Sequence, residues 1–314
     1  MRTRDLRARD APRLLEFLRL HFTEEERILG TRPEGFEEVV RRVFRWDARI
    51  ALGLLRLLNR PIFRFFVIES DDGAVIATTL VTFPARAGFL SLVAVDPAFR
   101  RRGLARQLLE RARTATVRRG RPYLALDVLE QNLPARTLYA SLGYRPLRRS
   151  TYAVLERPPS LPAGLPPVPG LRPFAPSDAG PLAAIARAEK PPEVEAVLPT
   201  TSGDIGGSAL VGRILHSESA AWVLDEGQGP VAWISANVSP AQETGYVSAP
   251  IIGPSVAPAT AVQLVATATA WLAARRVPRV TLLPSEDNRR GRAALEAVGF
   301  RDEIGMVTLY RPAT

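Results

Sequence analysis

The chain repeats itself. The segment PYLALDVLEQNLPARTLYASLGYR at 122–145 aligns without gaps to PRVTLLPSEDNRRGRAALEAVGFR at 278–301. Pro122/Pro278, Leu126/Leu282, Asn132/Asn288, Arg136/Arg292, Gly143/Gly299 and Arg145/Arg301 share one offset (288 − 132 = 156). The openings echo as well, LRARDAPRLLEFL from Leu6 and LRPFAPSDAGPLAAIA from Leu171. This period is far longer than that of a solenoid repeat, so the chain reads as two copies of one domain. A length of 314 residues agrees with two domains of ordinary size. Between the copies lies ERPPSLPAGLPPVPG, residues 156–170, whose six prolines deny the backbone hydrogen bonds of helix or sheet. The expected organisation is a domain over 1–155, a semi-rigid linker over 156–170 and a second domain over 171–314.

Periodicity within the first copy alternates strands with helices. Residues 4–8 predict a short strand, and Ala11–His21 a helix carrying Leu14, Leu15 and Leu18 on one face. Phe36–Leu58, after Gly35, predicts a partly apolar helix beside a pocket. FRFFVIES and AVIATTLVTF predict strands joined by the turn residues Asp71, Asp72 and Gly73. FLSLVAV is a strand, Gly103–Arg119 a helix, YLALDVL a strand, Pro134–Leu142 a helix and Tyr152–Leu155 a last strand. This order argues for an α/β fold of the α+β kind: two like domains, each a mixed, mostly antiparallel sheet with helices on both faces.

Composition removes several chemistries. There is no cysteine, which excludes disulfides, thiolate metal sites and a cysteine nucleophile. His21 and His216 are the two histidines, too few for a multi-histidine metal centre, and no metal is expected. Lys190 is the single lysine, so the net charge of +10 is carried by arginine. That charge favours anionic partners. The arginines are scattered with little aromatic interleaving, which argues against a dedicated nucleic-acid binder. The charged start MRTRDLRARD has no apolar stretch of a signal peptide. Residues 244–274 carry no charge, but Gly253, Pro254 and Pro258 break them and many Ser, Thr and Ala dilute them. They predict a strand, a turn and a buried helix rather than a membrane span. The expectation is a cytoplasmic protein without membrane contact, as monomer or homodimer.

The segment FLSLVAVDPAFRRRGLARQLLERA at 89–112 concentrates the chemistry. A strand ends at Val95, Asp96-Pro97 breaks it, and an arginine-rich turn with Gly103 opens into an amphipathic helix. A helix head presents four N–H groups without intrahelical partners and the positive end of the macrodipole, which together bind phosphate. Gly103 allows close backbone approach, Ala105 keeps the first turn small, and Arg100, Arg101, Arg102 and Arg106 add charge around Leu104.

The run Arg100-x-x-Gly103-x-Ala105 after VAV resembles the pyrophosphate loop of the GNAT family of N-acetyltransferases. LDVLEQNLPARTLYASLGY resembles that family's next strand and helix, over a total of about residues 4–155. The resemblance implies acetyl-CoA as co-substrate and direct transfer of the acetyl group to a primary amine of a small molecule or peptide. It implies that Val93, Ala94 and Val95 offer backbone groups to the pantetheine arm and the oxyanion, that Arg101–Arg106 wrap the pyrophosphate, and that Asn132 bonds the pantetheine. Tyr139 would protonate the departing thiolate. The incoming amine must lose a proton; Asp127 is the first candidate base and Glu130 the second. Each also has a plainer role: Tyr139 as core aromatic, Asn132 as helix cap, Asp127 as strand residue. A non-catalytic acyl-CoA-binding or scaffold protein of the same fold is the alternative function. Acceptor choice is expected to lie in Phe22–Phe63.

The second copy lacks this loop. Its equivalent, YVSAPIIGPSVAPATAVQLVATA, has no arginine, and Pro254 and Pro258 remove backbone donors. Leu295 stands at the Tyr139 position and Leu283 at that of Asp127. This copy is expected to have lost acyl-CoA and to serve structurally.

Overall fold

A computed structural model of the chain describes residues 1–7, 10–21, 63–159, 168–206, 218–238 and 244–314, with backbone only at Arg19 and His21. The helix expected over Phe36–Leu58, most of the expected acceptor region and the middle of the linker lie outside these residues.

The first half contributes β1 (Arg2–Asp5), α1 (Ala11–His21), β2 (Phe63–Glu69), β3 (Val75–Thr82), β4 (Ala87–Val95), α2 (Leu104–Val117), β5 (Tyr123–Leu129), α3 (Leu133–Ser141) and β6 (Arg145–Glu156). The second contributes β7 (Leu171–Pro173), α4 (Ala179–Glu189), the short α5 (Pro192–Val197), β8 (Glu218–Asp225), β9 (Pro230–Val238), β10 (Thr244–Val247), β11 (Ile251–Ile252), α6 (Pro258–Ala273), β12 (Arg279–Leu282), α7 (Arg289–Val298) and β13 (Arg301–Pro312). The 156-residue offset survives in the backbone. Both β6 and β13 have 12 residues. Asn132 and Asn288 cap α3 and α7 with nearly the same dihedrals, φ −78°, ψ 69° and φ −78°, ψ 63°.

All the described strands form one sheet, ordered β1-β2-β3-β4-β5-β13-β6-β12-β10-β9-β8-β7, with β11 paired to β9. Under the duplication this order reads the same from either end. Its middle is an exchange: β13 lies between β5 and β6, antiparallel to both, and β6 lies against β12. Each half therefore receives its last strand from the other. Parallel pairing among the described strands is confined to β4 with β5 and β10 with β12.

Packing follows the exchange. Phe66, Ile68, Leu90, Leu104, Leu108, Leu124, Leu126 and Tyr139 of the first half form one core with Val307, Leu309 and Ala313 from the chain's end. Ala153 and Leu155 of β6 join the second half's core with Ile234, Leu264, Leu272 and Phe300. Helices cover both faces. On one, α2 packs so closely that a Cβ on Gly88 would stand 2.1 Å from Thr116 Oγ1; Gly245 meets Leu272 in the second half in the same way, at 2.8 Å. On the other, α1 sets Leu14, Phe17 and Leu18 against Val67 and Val75.

One ionic clamp occurs twice. Arg4 holds Asp10 through two hydrogen bonds, at 2.5 and 3.0 Å, and Glu69 at 2.7 Å. Arg172 holds Asp178 twice at 2.8 Å and Asp225 at 2.8 Å. Each clamp ties a copy's first strand to the turn before its first helix and to a neighbouring strand, and its forked guanidinium satisfies carboxylates that would be costly to bury alone.

The exchange makes a testable demand on the C-terminus. Leu309→Ala should destabilise the chain by about 2–5 kcal/mol, the usual cost of truncating a buried leucine. Urea unfolding followed by the fluorescence of a tryptophan placed at Phe66 should report that loss in the first half, 243 positions earlier in sequence (309 − 66 = 243).

Candidate active site

The site begins where β4 leaves β5. Their parallel pairing runs from Ala87↔Tyr123 to Leu90↔Leu126 and then stops, while β4 continues on β3 to Val95. A register shift between Thr78↔Ala94 and Leu80↔Ser91 marks a bulge at this point, and Leu92 takes φ 52°. Positive φ costs a leucine about 1–2 kcal/mol, a strain that the surrounding sheet must offset. Thr78 helps by donating its hydroxyl to the Leu92 carbonyl at 2.8 Å. The bulge also re-phases the strand. Leu90, Val93 and Val95 all face the α2 side, whereas Leu92 and Ala94 face α1. Half-buried Val93, Ala94 and Val95 thus border a gap between two strands of the same sheet.

The gap leads to the helix head. Asp96 closes the 3-10 turn Pro97–Phe99 by accepting from the Ala98 amide at 2.8 Å. The chain then reverses through Arg101 at φ 63° and Gly103 at φ 78°. Gly103 caps α2 without a side chain, and a Cβ there would have no atom within 4 Å. The glycine is therefore required by its dihedral, and the volume above it is open. The first intrahelical donor is Gln107, whose amide reaches the Gly103 carbonyl at 3.1 Å. The amides of Leu104, Ala105 and Arg106 precede it and point out of the helix end. Leu104 is buried and anchors this turn, while Arg100, Arg101, Arg102 and Arg106 are exposed. Arg100 and Arg102 brace the loop, on Val95 O at 3.2 Å and Ala98 O at 3.4 Å. Arg101 and Arg106 make no hydrogen bond or ion pair among the described residues.

Tyr139 and Asp127 stand on opposite faces of the sheet. Tyr139 is 5% exposed and belongs to the core that Val93, Val95 and Phe99 border; its ring meets Tyr144 edge-on at 5.6 Å. Burial pushes its hydroxyl up to about 12. On β5, Leu124, Leu126 and Val128 point into the same core, so by the period of two Asp127 points away from it. Burial raises the Asp127 carboxyl above the usual range, partly offset by the Thr308 hydroxyl, which donates to it at 2.6 Å, and by Arg148. Glu130 is paired to Arg149 at 3.5 Å and lies over Gly305, where a Cβ would collide with its carboxylate. Asn132 accepts from the Ala135 amide at 3.2 Å, capping α3 and leaving its amide donors for another partner.

Sequence reasoning missed Thr308, Arg148 and the Leu92 bulge. Thr308 lies 181 residues from Asp127 and reaches it through the strand exchange. Nothing in the pattern around either residue announces that pairing. Among the described residues no group of His, Cys, Asp and Glu could hold a metal ion, and no helix is long and apolar enough to cross a membrane.

In the second half the same gap recurs without the loop. Pairing of β10 with β12 stops at Tyr246↔Thr281, and β11 continues on β9. Here α6 has Ala257 as its cap and Pro258 in its first turn, so one outward amide is missing. Leu295 fills the position of Tyr139 in the core, and the Asn288 side-chain amide is consumed by the Pro250 carbonyl at 2.9 Å.

Residues 61–146 match the family model of the acetyltransferase (GNAT) domain. The whole chain superposes on a tandem GNAT protein from the clavulanic acid biosynthesis pathway, with TM-score 0.64, 18% identity and coverage of 100% of this chain and 98% of that one. It is similar also to a GCN5-related N-acetyltransferase from Sphaerobacter thermophilus, with TM-score 0.65, 17% identity and coverage of 99% and 95%. At these identities the likeness is one of fold. Residues 61–146 thus match the model of the acetyltransferase (GNAT) domain, within a chain whose fold is similar to that of a tandem GNAT protein.

Proposed function

We propose that the first half transfers an acetyl group from acetyl-CoA to a primary amine of a small-molecule or peptide acceptor, and that the second half binds no acyl-CoA. One observation carries the reading: the β4–β5 gap opens onto a helix head with outward amides, open space above Gly103 and two uncommitted arginines. A diphosphate on those amides would lay a thioester arm along Val93, Ala94 and Val95, with the Asn132 amide beside it. The second half offers a gap but neither arginines nor a full set of amides.

The chemistry then divides between the faces of the sheet. An acceptor amine arrives protonated, since its pKa lies near roughly 8–10. Asp127, raised by burial, accepts that proton directly or through water. Glu130, already paired with Arg149, is the second choice. The nitrogen lone pair attacks the thioester carbon, the oxyanion is met by a β4 amide near Val95, and the C–S bond breaks. Tyr139 keeps its proton throughout the working range and donates it toward the sulfur, and the second proton of the attacking nitrogen returns to the phenolate, directly or through water, leaving amide and free thiol. The same dry surroundings raise the thiolate's own pKa, which makes the transfer feasible.

Three outcomes test the assignment. Gly103→Glu should cost about 1–2 kcal/mol for a non-glycine residue at φ 78° and leave the chain folded, since nothing lies near its Cβ, yet abolish acetyl-CoA binding in calorimetry. Undiminished binding would remove the loop from the account. Tyr139→Phe should lower kcat by about tenfold or more with little change in coenzyme affinity; an unchanged kcat would exclude the tyrosine as acid. Thr308→Val removes a donor that favours the charged carboxylate, so the Asp127 pKa should rise and the acid limb of kcat/KM should move to higher pH. A limb that stays in place would mean that another group, or none, is the base.

A further inference from the structure

The gap in the second half is not filled in. It holds a cavity of ≈ 330 Å³ between α4, the strand ends at Ser248–Ile251 and the turn after β12, with Arg148 of β6 closing one side. That volume suits a compact ligand rather than a whole coenzyme, and the floor is rigid, since Asn288 ties the turn to Pro250.

Most polar groups around the cavity are committed. Glu189 pairs with Arg290, Asp204 accepts from the Thr201 amide and hydroxyl, and Lys190 donates to the Leu198 carbonyl at 3.3 Å beside Glu195 at 3.8 Å. Three charged or buried groups are not. The Asp287 Oδ1 is buried without a hydrogen-bond partner among the described residues, and so is the indole N–H of Trp233, a residue 5% exposed. Arg148 bonds only Thr308, through Nε at 3.4 Å, which leaves the terminal guanidinium nitrogens unspent among the described residues. Arg148 and Asp287 line one cavity, yet no ion pair within 4.0 Å joins them. A buried unpaired polar atom costs about 1–3 kcal/mol, more when charged, so such groups point to an absent partner.

We propose that this cavity is a second ligand site, for a small zwitterion of the amino-acid class. Its carboxylate sits on the Arg148 guanidinium, a planar fork suited to carboxylate. Its ammonium sits on Asp287, and Trp233 supplies a wall with one further donor. The opposite charges of the ligand bridge two side chains that form no ion pair with each other. Because Arg148 also bonds Thr308, which bonds Asp127, one side chain separates the site from the proposed base of the first half. The assignment rests on residues of the second half and on Arg148 of β6, and is independent of acetyl transfer.

The test is calorimetric titration of the full chain with the common L-α-amino acids, alongside matched carboxylic acids that lack the amine and amines that lack the carboxylate. At least one amino acid should bind saturably, one to one, with each single-charge analogue weaker by about tenfold or more. Arg148→Gln and the isosteric Asp287→Asn should each weaken it by a similar factor. If Arg148→Gln fails to fold, Asp287→Asn decides the matter. The proposal is overturned if no amino acid binds saturably, if a carboxylic acid alone binds as tightly, or if binding survives Asp287→Asn. Binding abolished by Gly103→Glu but not by Asp287→Asn would place the ligand in the first half and likewise overturn it.

Discussion

The placement of β13 between β5 and β6 conditions everything else in this molecule. It completes the first half's core with Val307, Leu309 and Ala313 and sends Ala153 and Leu155 into the second half's core. It also carries Thr308 to Asp127 and Gly305 beneath Glu130. Neither half closes its sheet with its own last strand. The second half therefore supplies the strand against which the proposed base of the first half is set.

The two halves also show which parts of the machinery are separable. The gap between parallel strands, the glycine under the packing helix and the asparagine cap persist in both. These features build the fold. The arginine turn, the left-handed Gly103 and the tyrosine occur in the first half alone, while Pro258 and Leu295 stand near their counterparts. The fold is thus kept in both halves while the arginine turn and the tyrosine are confined to one.

Much of this was legible in the sequence because it is local. The helix at Ala11–His21 and the strand at Tyr123–Leu129 lie where periodicity places them, and the turn at Asp71–Gly73 joins β2 to β3. The strand expected at 4–8 lies instead at Arg2–Asp5, set by its pairing to β2. The strand expected at Tyr152–Leu155 runs from Arg145 to Glu156. Arg145, Pro146, Arg148 and Arg149 carry no strand pattern of their own, and the partner strand β13 makes them part of a ladder. The short β11 is hidden between Pro250 and Gly253. The bulge at Leu92 is invisible because its positive φ is imposed by β3 and not by residue type. Local chemistry is written in the sequence; strand exchange, bulge and cross-sheet contacts are tertiary, and they decide how Asp127, Tyr139 and the helix head relate.

The most direct measurement is a crystal structure of the full chain grown with acetyl-CoA. The account predicts a diphosphate within hydrogen-bond distance of the amides at 103–106, the thioester lying in the β4–β5 gap with Tyr139 and Asp127 on either side, and no coenzyme in the second half. Coenzyme seated between β10 and β12, or bound to the first half away from the head of α2, would contradict it.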